Sequence, residues 1–194
     1  SSKELFKNED RSYLEISYDE LSELYEFANG LDIELTASVF DLKRVDWCEK
    51  INMKTYKIAS VSVKNKELCE KIISLKKRTI ISLGMYDHEK LGKPFEGDKI
   101  EYLYCVSKYP TNLKEIEMPN FEDKNSIFKG YSDHTIGIAA AIFAVSKGAL
   151  VIEKHFSNNK SLNIETQLAH VCSMNSDELE NLRNIADSIT LLKS

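Results

Sequence analysis

No block of five or six lysines and arginines stands together anywhere in the 194 residues, and the formal charge is -5 with a pI near 5.5. The positive field that draws a phosphate backbone to a protein surface is missing, which removes nucleic acid from the expected partners. Long apolar runs are missing too. The longest, Ile136 to Val145, falls well short of the roughly 20 residues that a membrane-spanning helix needs. The first residues also lack the basic-then-apolar order of a secretory signal. A soluble, cytoplasmic protein without a membrane partner is the expectation. The four cysteines, Cys48, Cys69, Cys105 and Cys172, form no C-x-x-C pair and sit among apolar or aromatic neighbours. Buried free thiols are expected rather than a disulfide or zinc framework. No repeat, low-complexity run or linker divides the chain, so residues 1–194 read as one domain, and 42% hydrophobic residues can build its core. The chain starts at Ser1 without a methionine, as a fragment or a processed chain would.

The segments present have a clear period. Ser17 followed by Glu20 is a capping box, and Leu21, Leu24, Tyr25 and Ala28 form one helical stripe, so a helix is predicted from Tyr18 to Asn29. Six short runs rich in strand formers follow, at 33–40, 55–60, 79–85, 101–107, 127–132 and 150–156. Helical patterns fall between several of them and after the last: Lys64 to Lys76, Thr135 to Lys147 and Asn175 to Leu192. Residues 86–99, with Gly92, Pro94 and Gly97, read as a loop. Strands alternating with helices predict an α/β fold of parallel β/α units.

In such folds the chemistry collects at the C-terminal ends of the strands. Those ends carry Ser38, Ser60, Ser82, Ser107, Ser132 and His155, with Lys57 inside the second strand and His134 just past the fifth. A ring of hydroxyls with one ammonium suits an oxygen-rich anion such as a phosphate. Each residue also has a plainer reading. Serines are common at strand ends, Lys57 could belong to a buried ion pair with Glu153 as partner, and Asp133 could cap a helix beginning near Thr135. Each histidine alone could be structural. Together, at the ends of successive strands, His134 and His155 could ligate one divalent ion and leave positions open for substrate. His88 and His170 have no comparable placement.

Six blocks carry a resemblance: "YKIAS" (56–60), "IISLGM" (80–85), "YCVSKYPT" (104–111), "GYSDHT" (130–135), "GALVIEKHF" (148–156) and "CSM" (172–174). In order and spacing they resemble the sialic acid synthase (N-acetylneuraminate synthase) family, over roughly Leu31 to the end. The resemblance implies a TIM-type (β/α) barrel, here partial, with six strands recognisable. The family's first two β/α units and its C-terminal antifreeze-like domain have no counterpart. It implies a condensation of phosphoenolpyruvate with an N-acylated hexosamine such as N-acetylmannosamine, assisted by Mn²⁺ or Mg²⁺ on His134 and His155. Ser38, Lys57, Ser60, Ser82, Ser107 and Ser132 would hold phosphoenolpyruvate, and Tyr109 would face the sugar. Glu153, sharing parity with His155, is expected to act on the cationic carbon or accept a proton, beside Lys57 and the histidines. Departures cluster on the sugar side. The position of the family's sugar-binding aspartate holds Ala169, with Glu165 or His170 as substitutes. Val61 and Ser62 follow "KIAS" where the family has glycine and an acidic residue, and Leu83 replaces a threonine. A homodimer is compatible with this reading. The competing expectations are a non-catalytic relic that still binds phosphate and metal, and a Schiff-base aldolase using Lys57.

Overall fold

The computed structural model describes residues 15–160 and 171–193. The strands are β1 (Ala37–Ser38), β2 (Thr55–Ile58), β3 (Arg78–Ser82), β4 (Ile100–Cys105), β5 (Phe128–Asp133) and β6 (Val151–Lys154). The helices are α1 (Tyr18–Gly30), α2 (Leu42–Lys50), α3 (Lys66–Ser74), α4 (His88–Leu91), α5 (Ala139–Ser146) and α6 (Ser176–Lys193). The strands lie in one sheet in sequence order, β1-β2-β3-β4-β5-β6, and the pairs β1–β2, β4–β5 and β5–β6 are parallel. This is the α/β order of a partial β/α barrel. The chain divides into two compact units, one comprising Ser1–Ile80 with Gly97–Ile100, the other Ile81–Glu96 with Glu101–Ser194.

In the first unit, the capping box forms as the sequence predicts: Glu20 N donates to Ser17 Oγ (3.2 Å) and Ser17 N to Glu20 Oε2 (2.6 Å). α2 is a helix that the hydrophobic pattern alone did not show. Asp41 caps it by accepting from Arg44 N (2.8 Å), and Val45 and Cys48 are its buried residues. β2 is buried at every position, as a strand covered on both faces must be.

In the second unit, the β5–β6 register sets Gly130 opposite Val151, Ser132 opposite Glu153 and Asp133 opposite Lys154. A Cβ on Gly130 would stand 2.8 Å from the Val151 Cβ and would collide with that residue's carbonyl. Gly130→Ala is therefore expected to cost about 1–3 kcal/mol by forcing the strands apart. A urea midpoint equal to that of the parent chain would contradict this. Ala141, Met174 and Leu182 form a core cluster, with Ile138, Ile142 and Ile152 packed on it, and this fastens α5 and α6 behind the strands.

The helix expected from Thr135 starts instead at Ala139. Gly137 has φ of 74°, which interrupts the turn. Asp133 does not cap that helix. Its Oδ1 accepts from the Thr135 amide (2.8 Å) and its Oδ2 from Lys154 Nζ (2.9 Å), so the carboxylate is committed to a tight turn and a cross-strand ion pair. All four cysteines are free and buried, and burial pushes the Cys48 and Cys69 thiols up to about 11, which leaves them unreactive.

Candidate active site

His134 follows β5 directly and His155 follows β6 directly. Their ring centroids are 5.7 Å apart, with planes inclined at 50°. His134 is only 6% exposed, and its Nδ1 lies 2.9 Å from the Val106 carbonyl. A carbonyl oxygen can only accept, so Nδ1 carries the proton and the Nε2 lone pair is left for another partner. Burial holds the His134 pKa below its ordinary value, against the opposing pull of the Val106 hydrogen bond. The imidazole is neutral at pH 7. Cys105 Sγ lies 3.8 Å from the same nitrogen and 3.9 Å from Ser107 Oγ.

The backbone holds both histidines from their carbonyl sides. Thr111 N donates to His134 O (2.8 Å), and Met174 N donates to His155 O (2.8 Å). Tyr109 closes the cluster, its ring 4.1 Å from that of His134 and 5.7 Å from that of His155. Burial pushes its phenol up to about 12, so it remains a hydrogen-bond donor at neutral pH.

Strand alternation sorts the remaining residues. Side chains two apart share a face, so Ser132 and Glu153, opposite each other in register, share theirs with His134 and His155. Asp133 and Lys154 point the other way. Glu153 Oε2 accepts from Ser82 Oγ (3.2 Å), although β3 and β6 are separated by β4 and β5 in the sheet. With neighbouring strands about 4.8 Å apart, a flat sheet would hold these residues roughly 14 Å from each other. The strands of this unit must therefore curl around that face, as barrel strands do around a lumen.

Of the residues singled out from sequence, the second unit brings together Ser82, Ser107, Ser132, Tyr109, Glu153, His134 and His155. In the first unit Ser38 ends β1 and is exposed, with Lys57 beside it in register. Lys57 is 6% exposed, and its Nζ donates to the Ile58 carbonyl (3.1 Å). Ser60 opens a short 3₁₀ turn, Ser60–Ser62. Glu165, Ala169 and His170 lie outside the described residues. His88 stands edge-on to Phe128 at 4.8 Å. Sequence reasoning did not find the Asp133–Lys154 pair or the Val106 carbonyl that sets the His134 tautomer. The first had a signal, since both residues sit one position before a candidate ligand. The second had none, because a backbone carbonyl leaves no trace in a sequence.

Two imidazoles reaching one ion at about 2.1 Å through ring nitrogens have centroids roughly 4.6–6.5 Å apart, depending on the angle at the ion. The observed 5.7 Å fits. Among the described residues no group of three or more His, Cys, Asp and Glu side chains is arranged as a complete metal site. An ion here would keep positions open for oxygen ligands from water or substrate.

A curled run of parallel strands with its reactive side chains at the C-terminal tips is the build of a β/α-barrel enzyme. The chain belongs to the NeuB family, whose sequence profile matches residues 3–193. It is 35% identical to the N,N'-diacetyllegionaminic acid synthase of Legionella pneumophila, over 93% of this chain and 54% of that protein. It is 30% identical to the N-acetylneuraminate-9-phosphate synthase of Drosophila melanogaster, over 90% of this chain and 49% of that one. The N-acetylneuraminic acid synthetase of Leptospira borgpetersenii, solved with citrate, superimposes with a TM-score of 0.84 at 25% identity, over 100% of this chain and 71% of that one. The chain spans about half the length of the curated relatives it matches.

Proposed function

We propose that the chain condenses phosphoenolpyruvate with an N-acylated hexosamine of the N-acetylmannosamine type, giving a sialic or related nonulosonic acid, with Mn²⁺ or Mg²⁺ on His134 and His155. The observation that carries this is the pair of rings 5.7 Å apart, one with its tautomer fixed, on the face that also presents Glu153 and Ser132. An ion bound there would act as a Lewis acid on the aldehyde oxygen. Ser107 and Ser132 supply hydroxyl donors to phosphoenolpyruvate, and Ser82 joins them when substrate turns its single proton away from Glu153. By motif position Ser38, Lys57 and Ser60 contribute as well, with the Lys57 ammonium offsetting phosphate charge. Tyr109, 37% exposed, is open to the sugar, and Glu165 joins it by motif position.

Glu153 accepts from Ser82, so its carboxylate is oriented before substrate arrives. It takes the proton from the water that adds to the former enol carbon, or stabilises the cation at that carbon. Glu153→Gln is expected to lower kcat by about 10²–10⁴-fold while Mn²⁺ binds as before. Full turnover in that variant would remove the role. No helix among the described residues is long and apolar enough to cross a membrane, and a cytoplasmic setting goes with the proposal.

The departures from the family pattern, with Ala169 at the position of its sugar-binding aspartate, favour one second reading, a module that binds phosphate and metal without turning over. Phosphate release from phosphoenolpyruvate, dependent on both Mn²⁺ and N-acetylmannosamine, supports the synthase. Binding of phosphoenolpyruvate and Mn²⁺ without release supports the module. Absence of Mn²⁺ binding overturns the metal-assisted reading.

A further inference from the structure

Behind the two histidines, on the opposite face of β5 and β6, lies an ion pair with no exposed side-chain surface. Lys154 Nζ is 2.9 Å from Asp133 Oδ2, and both side chains are 0% exposed. Lys154 Nζ also donates to the Thr135 carbonyl (2.8 Å), while Asp133 Oδ1 accepts from the Thr135 amide (2.8 Å). The residues on either side of His134 are thus both tied to Lys154, which itself precedes His155. Desolvating two charges offsets most of their attraction, so such a pair adds little stability over a well-packed apolar couple. Directional contacts are what it offers that an apolar couple would not.

We infer that Asp133 and Lys154 are positioning residues: their ion pair, closed through both backbone groups of Thr135, locks the tips of β5 and β6 together and holds the His134 and His155 rings at the spacing one divalent ion requires. This rests on the metal reading proposed above. Groups that orient a ligand without touching the ion commonly change metal affinity by about tenfold to a hundredfold when removed, and a site loosened by about an ångström loses its function while the fold persists.

The test is the double variant Asp133→Asn/Lys154→Met. It removes both charges together, and the introduced carboxamide oxygen can still accept from the Thr135 amide. Two quantities are measured on the full chain: the Kd for Mn²⁺, and the ring ¹⁵N shifts of His134, which report whether Nδ1–H is the single tautomer. The expected result is a far-UV spectrum like that of the parent, a Kd for Mn²⁺ raised about tenfold to a hundredfold, and mixed tautomers at His134. A folded double variant with parental Kd and a single tautomer overturns the inference. If the parent chain itself binds no Mn²⁺, the metal reading falls, and the tautomer signal alone decides the positioning role: mixing supports it and retention overturns it. Should the double variant fail to fold, Lys154→Arg decides. It preserves the charge but replaces a compact ammonium with a planar fork. A several-fold rise in Kd with the fold intact supports the lock, and an unchanged Kd overturns it.

Discussion

Replacing either His134 or His155 with alanine is expected to weaken Mn²⁺ binding by at least about a hundredfold, since removing a ligand must exceed the effect of removing a group that merely supports one. Two imidazoles are the donors that the described residues place together here. With one gone, the other is a single nitrogen, and single nitrogens hold Mn²⁺ weakly against water. The two variants should differ in stability. His134 is buried and bonded to the Val106 carbonyl, so His134→Ala loses that bond, at about 0.5–1.5 kcal/mol, while the carbonyl still accepts from Lys108 N (2.9 Å) and Thr111 Oγ1 (3.2 Å). The fold should survive in both, as circular dichroism would show. Mn²⁺ affinity equal to that of the parent in either variant would remove that histidine from the site.

The single substitution Lys154→Met is expected to be the most destabilising change near the site, at about 3–5 kcal/mol, because it strands the Asp133 carboxylate in a buried position. For a chain of this size that is a fall in Tm of roughly 6–20 °C. The Thr135 carbonyl loses its donor as well. The double variant that also removes the Asp133 charge should recover most of the loss, since no bare charge remains buried. Calorimetry on the two variants separates these cases. A Tm for Lys154→Met within a degree or two of the parent would show that the pair is not a closed, desolvated contact.

Period and caps made most elements legible. Ser17 and Glu20 announced α1, and each of the six β-rich runs overlaps a strand. α2 escaped because only Val45 and Cys48 of its nine residues are buried. Two buried positions are too few to show a period, although Asp41 was a usable cap signal. The start of α5 was misplaced because Gly137 takes a left-handed conformation and Asp133 is drawn across to β6, and neither choice is local. The site followed the same division. Strand parity alone put Glu153 with His155, because a two-residue repeat is a property of sequence. The Ser82–Glu153 hydrogen bond joins residues 71 positions apart, and the Val106 carbonyl acts through backbone that every residue shares. Such contacts belong to the curl of the strands.

Electron spin-echo modulation of the Mn²⁺-loaded chain tests the central claim most directly, by counting the imidazole nitrogens coupled to the ion. Two are expected in the parent chain and one in any Mn²⁺ still bound by His134→Ala or His155→Ala. Bound Mn²⁺ with no nitrogen coupling, or with couplings that survive both substitutions, would contradict it.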